Sequence, residues 1–242
     1  MKIVFYIIII IFISSSIKAQ ERVNFIAEDG LLITADHYFI DESKPYVLLF
    51  HQGGYSRGEY IHTAQKIVKF GYNCLAVDLR SGGKVNYIQN RTALRALQKG
   101  YSTDYLSSKK DIIAAIEWVR KKNNKSMVLL GSSFSASLCL IIANNYPYIK
   151  AVIAFSPGEF FNCNPCVKEV IKNINKPIFV ASSKQEQLYI NDLLKLVSPI
   201  YKTVFIPSDG SGEYGSKSLW SDNPDNQEYW LALTMFFSKI RN

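Results

Sequence analysis

Apolar and polar positions along this chain follow two alternating periods. Short runs in which nearly every residue is apolar recur as YVLLF (46–50), NCLAVD (73–78), MVLLG (127–131), AVIAFS (151–156), PIFVAS (177–182) and KTVFIP (202–207). Runs of this length, apolar throughout, are the mark of strands covered on both faces. Between them the apolar residues return every three to four positions. Ile61, Ala64, Ile67 and Val68 share one stripe within 60–70, and Ile112, Ile113, Ile116 and Val119 make another; 134–145, 188–197 and 229–240 predict three more helices. Two earlier strand-like pieces, RVNFIA and LLITADHYF, flank the turn signal Glu28-Asp29-Gly30 and predict a hairpin. Strand and helix in alternation predict an α/β fold: a mostly parallel sheet with antiparallel N-terminal strands and helices on both faces.

The run MVLLG ends at a glycine and continues through Ser132-Ser133-Phe134-Ser135 straight into a predicted helix. A strand that closes on Gly-x-Ser-x-small and turns at once into a helix lifts the central hydroxyl, here that of Ser133, above the sheet edge. The flanking positions have to be small, because the backbone is strained and the helix packs close to the strand. Gly131 meets that demand, and Ser135, where such a turn usually has a second glycine, is still small. Serines ahead of a helix also act as plain caps. Two other stretches favour a reactive site over a cap. YVLLF runs into His51-Gln52-Gly53-Gly54, a turn able to present backbone N–H groups, and KPIFVASSKQEQ sets Glu186 just past a later strand.

In the blocks FHQGGYSRGEY, NCLAVDLRSGG, GSSFSASL and AFSPGEFF the chain resembles the α/β-hydrolase superfamily, particularly its dienelactone-hydrolase-like and small serine-esterase branch. The likeness runs from about Phe25 to the C-terminus, and the blocks are similar to a subgroup of exported or periplasmic hydrolases of mostly unassigned substrate. It implies an eight-stranded sheet, a Ser-acid-His triad, and neither cofactor nor metal. Carried over residue by residue, it makes Ser133 the nucleophile, Glu186 the acid, and the amides of Gly53 and Phe134 the oxyanion donors, with His51 and Gln52 beside the site.

The resemblance also implies a histidine after the last strand, where related chains carry His-Gly and a small residue. That loop reads SDGSGEYGSKSLW, and Tyr214-Gly215-Ser216 stands in the register. The three histidines are His37, His51 and His62, none of them in the loop. A serine has to lose its proton as it attacks, and an imidazole with a pKa near 6.5 is suited to take it. A tyrosine, with a pKa near 10, is protonated at neutral pH and donates instead. The expectation is therefore a serine hydrolase acting on an ester or related acyl compound and impaired by Tyr214. The alternative is a catalytically inactive protein of the same fold that binds a small-molecule ligand. His51 is read as ordering its loop, His62 as solvated and His37 as remote from the site. Asp78 is read as a loop anchor, and for Glu159 a pocket-lining and a loop-capping role are both open.

The first residues, MKIVFYIIIIIFISSSIKAQ, have the charged start, short apolar run and small-residue cut of a secretory signal peptide. Cleavage is expected after Ala19, giving a signal over 1–19, a single domain over 20–242, a secreted or periplasmic location and no stable membrane anchor after cleavage. The net charge of +8 is dispersed, with RKKNNK (120–125) read as a solvated helix end, and no nucleic-acid partner is expected. Of four cysteines, Cys74 and Cys139 lie inside apolar runs. Cys163 and Cys166 form CNPC, for which a disulfide is the favoured reading in an exported chain and a redox pair the alternative.

Overall fold

The computed structural model describes residues 20–162 and 166–241. Strands β1 (Glu21–Ile26) and β2 (Leu32–Tyr38) form the expected hairpin, closed by Gly30 at φ +87. Six further strands complete the sheet: β3 (Tyr46–Phe50), β4 (Asn73–Val77), and, after a short β5–β6 ribbon (Lys84–Val85 and Ile88–Gln89), β7 (Met127–Ser132), β8 (Ile149–Phe155), β9 (Ile178–Ala181) and β10 (Lys202–Phe205). Their order is β1-β2-β4-β3-β7-β8-β9-β10, antiparallel across β1, β2 and β4 and parallel from β4 to β10.

Successive residues of a strand face opposite sides, so each apolar run feeds two cores. Leu48 and Phe50 of β3 and Leu129 of β7 belong to one, shared with α3 (Lys109–Lys122) and α4 (Phe134–Ala143). Val47, Leu49, Val128 and Leu130 belong to the other, shared with α1 (Ile61–Lys69) and α7 (Asn226–Arg241). The chain moves outward from β3 to β4 and then crosses back to β7, so the direction of winding reverses between β3 and β7. In open α/β sheets a crevice forms at the carboxyl ends of the strands at such a reversal. Here Phe50 pairs with Gly131, Ser132 with Phe155, and Phe155 with Ala181, so the loops that follow β3, β7, β8 and β9 leave from one edge.

Several boundaries differ from the sequence pattern. The first predicted helix begins as a 3-10 turn, Arg57–Tyr60, before α1. The helix expected over 188–197 is a 3-10 turn, Lys184–Glu186, running into α6 (Gln187–Leu193). The segment from Ser81 to Asp104, outside the strands and helices predicted above, holds the β5–β6 ribbon and α2 (Arg91–Gln98), whose first turn is capped by the Asn90 side chain accepting from the Ala93 amide at 2.8 Å. The remaining short helix, α5 (Val167–Ile171), follows CNPC. The signal segment and Cys163 lie outside the described residues, and with Cys163 the Cys163–Cys166 pairing.

Candidate active site

Ser133 sits between β7 and α4 at φ 60 and ψ −127, a left-handed backbone state that a non-glycine residue adopts only under constraint. The constraint is visible on both sides. The Ser133 amide donates to the Phe155 carbonyl at 2.8 Å. A Cβ at Gly131 would lie 2.5 Å from the Ala136 nitrogen, so the strand and helix can approach only over a glycine. Ser135 keeps a hydroxyl where a glycine is usual because that hydroxyl is fully used, accepting from the Ser132 amide at 2.9 Å and donating to the Phe50 carbonyl at 2.7 Å.

The Ser133 and Tyr214 hydroxyls share a hydrogen bond of 2.6 Å. The family resemblance set Tyr214 in the register of the base, and the fold brings its hydroxyl to Ser133 across the crevice. Tyr214 is 40% exposed, and the desolvation of the part that is covered raises its phenol pKa above the ordinary 10. The bond to Ser133 opposes that rise, and the negative charge of Glu186 adds to it. The phenol therefore holds its proton at neutral pH and can give a hydrogen bond to Ser133 Oγ.

Glu186 reaches this pair indirectly. Its Oε2 accepts from the Ser183 amide (3.0 Å), the Ser183 hydroxyl (2.8 Å) and the Ser156 hydroxyl (2.9 Å). Ser156 in turn accepts from the Gly215 amide at 2.8 Å, so the acid is tied to the Tyr214 loop through one intervening serine. Of the expected oxyanion donors, Phe134 opens α4 and Gly53 follows β3 across the same crevice. Among the described residues the amides of Gly53 and Phe134 find no acceptor.

The three histidines stand elsewhere. His51 is fully buried, and burial pushes its pKa down to about 4. Its Nε2 accepts from the Leu79 amide at 2.8 Å and its Nδ1 bonds the Gln52 carbonyl at 2.8 Å, which uses both ring nitrogens to fix the loop after β3. His62 is exposed on α1, and His37, in β2, stacks on Tyr46 with Nε2 2.9 Å from its hydroxyl. Asp78 anchors backbone: it accepts from the Arg57 and Arg91 amides, each at 2.8 Å, and from Arg57 Nη1 at 2.7 Å. Glu159 caps α5 through the Val167 and Lys168 amides.

Sequence reasoning missed Glu59, which is 1% exposed beneath the crevice. Its Oε2 accepts from the Gln52 amide at 2.8 Å, and its Oε1 from the Ser216 hydroxyl. It thereby joins the loop after β3 to the loop that carries Tyr214. Ser132 closes the network, accepting from the Ser216 amide at 2.9 Å while its hydroxyl lies 3.4 Å from Gln52 Oε1. Burial pushes the Glu59 carboxyl up to about 7 against these donors. The available signal was an acidic residue at the start of an apolar helix stripe, which reads equally well as an ordinary first-turn carboxylate.

An eight-stranded sheet of this order, with a strained serine on the turn from β7 to α4, defines an α/β-hydrolase. The chain belongs to the dienelactone hydrolase family, whose sequence model matches residues 30–203. Among solved structures it is similar to an esterase of Pyrococcus furiosus (18% identity over 91% of each chain, TM-score 0.65). It is likewise similar to a dienelactone hydrolase of Anabaena variabilis (14% identity, 91% of this chain and 97% of that one, TM-score 0.69). A third such structure is the esterase domain of a Rhodothermus marinus protein (13% identity, 92% and 98%, TM-score 0.65). At these identities the likeness is one of fold. No curated protein matches the sequence.

Proposed function

We propose that this chain is an exported serine hydrolase acting on an ester or related acyl compound, with Ser133 as nucleophile and its turnover held low by Tyr214. The observation that carries the reading is the 2.6 Å bond between the Ser133 and Tyr214 hydroxyls at the strained turn. Attack by Oγ on a carbonyl needs an acceptor for the serine proton. A phenol that keeps its own proton is not that acceptor, so the proton passes to water or hydroxide. Losing the base of such a triad typically costs on the order of ten-thousandfold in turnover, while the oxyanion donors and binding leave a residual rate. Glu186, held by Ser183 and Ser156, supplies negative charge beside the base position, and the amides of Gly53 and Phe134 are the donors for the developing oxyanion.

The same phenol favours a second reading, a protein that keeps the pocket as a ligand-binding site and has given up turnover. Two measurements separate the two. A fluorophosphonate probe should capture Ser133 stoichiometrically if the hydroxyl is still activated, and Ser133→Ala should abolish capture. Hydrolysis of p-nitrophenyl acetate should be slow and should rise at least about tenfold in Tyr214→His, a small part of what a restored base can return. A silent probe together with no gain in Tyr214→His refutes the hydrolase and leaves the binding protein.

A further inference from the structure

We propose that the cleft walled by Tyr105 and Phe160, joined to the Ser133 turn through the stack of Tyr105 on Phe134, takes an aryl-bearing acyl compound, an aromatic carboxylic ester or its free acid, with the carbonyl end directed to Ser133 and the ring against Tyr105 and Phe160. The inference rests on Ser133 being the acyl-contacting residue and adds the chemical class of the acyl group.

Tyr105 lies just before the 3-10 turn Leu106–Ser108 and is 41% exposed. Its ring stacks on that of Phe134, with centroids 4.3 Å apart and planes 12° from parallel. Its hydroxyl lies 2.5 Å from where a Cβ at Gly53 would be. One side chain thus spans both residues assigned as oxyanion donors. Any acyl group reaching from Ser133 toward those amides meets the Tyr105 ring.

Beyond Tyr105 the wall remains aromatic. Phe160 meets it edge-on, at 6.4 Å and 86°, and Phe161 follows at 6.4 Å and 67°. Phe160 is held by close packing, because a Cβ at Gly158 would lie 3.0 Å from its ring. Between the segments 103–106 and 160–162 opens a cavity of about 500 Å³, within the usual range for small-molecule sites. Its acidic neighbour Asp104 is already engaged, accepting from the Ser107 amide at 2.8 Å and from the Ser102 and Ser107 hydroxyls. Thr103, Leu106 and Asn162 complete the lining, and its aromatic surface, Tyr105 and Phe160, is offered in two orientations nearly at right angles. A guest ring can stack offset on one plane while meeting the other edge-to-face, so the quadrupoles add to the contact. An alkyl chain gains area alone.

The test is binding of 4-fluorophenylacetate to the full chain by fluorine NMR, with hexanoate as competitor and fluorophosphonate capture at Ser133 run in parallel. The aryl acid should bind saturably and at least about tenfold more tightly than hexanoate. Tyr105→Ala and Phe160→Ala should each weaken it by about tenfold, and Tyr105→Phe, which keeps the ring, should hold it within about twofold. Circular dichroism and the melting temperature establish that each variant is folded, and Tyr105→Phe guards the conclusion if an alanine variant is not. Equal affinity for hexanoate, no saturable binding, or an unchanged affinity in folded Tyr105→Ala overturns the aromatic assignment. If that happens while the probe still captures Ser133, the hydrolase reading survives alone. If the aryl acid binds through Tyr105 while Ser133 is not captured and Tyr214→His gains no activity, the aromatic cleft stands and the hydrolase reading falls.

Discussion

Replacing Glu59 by glutamine should flatten the pH dependence of stability. Glu59 is buried, and burial carries its carboxyl from an ordinary 4.5 to about 7. Between those two values the native state holds a proton that the unfolded chain has released, so stability falls as pH rises across that window and levels off above it. At about 1.4 kcal/mol per tenfold, the fall amounts to about 3 kcal/mol by pH 8. Glutamine mimics the protonated acid, its oxygen accepting from the Gln52 amide and its NH₂ donating to the Ser216 hydroxyl. Urea unfolding followed by tryptophan fluorescence at pH 5, 6, 7 and 8 measures both proteins. The variant should match the wild type within about 1 kcal/mol at pH 5 and exceed it by about 3 kcal/mol at pH 8. Asp111, pushed up to about 6 by burial despite its Arg80 partner, adds a slope of the same sign, so the difference between the two proteins is the quantity to follow. Parallel curves would show that Glu59 is not held neutral and would refute the argument.

The rate of Ser133 acylation by an activated ester should keep rising with pH through 9 in the wild type, where hydroxide takes the proton. In Tyr214→His it should level off above about pH 6.5 to 7, as an imidazole becomes the acceptor; identical profiles would remove Tyr214 from the base position. Ser133→Gly should abolish probe capture yet raise unfolding stability by about 1 kcal/mol in urea titrations, because glycine adopts φ 60 without strain. Arg57 lies 2.7 Å from Asp78 Oδ2 and 3.0 Å from Asp36 Oδ2, the latter a contact of charges without hydrogen-bond alignment. Arg57→Ala should therefore cost on the order of 3–5 kcal/mol in the same assay, because it removes the buried cation that Asp36 and Asp78 share.

Sequence by itself determined the layout. Apolar runs of four to seven residues mark the strands wherever a strand is covered on both faces, because burial then removes every polar position and leaves a pattern local enough to read. The turn at Ser133 was legible for a related reason: close strand-to-helix packing excludes side chains at Gly131 and admits only a small one at 135, and both demands act on neighbours in the chain. The absence of histidine from the loop after β10 was likewise a fact of composition and register.

What only the tertiary structure decided are meetings between residues far apart in the chain. Ser133 and Tyr214 are separated by 81 positions, and Glu59 and Ser216 by 157. No local pattern encodes that a first-turn glutamate is buried under a crevice, that Ser156 links Glu186 to the loop at Gly215, or that Tyr105 lies across Phe134 and Gly53. Nor does it show the helix Arg91–Gln98, set by one asparagine cap within a segment of mixed polarity. Burial and the pKa changes it causes belong to the assembled sheet edge, where loops from six strands converge, and such properties exist only once the chain is folded.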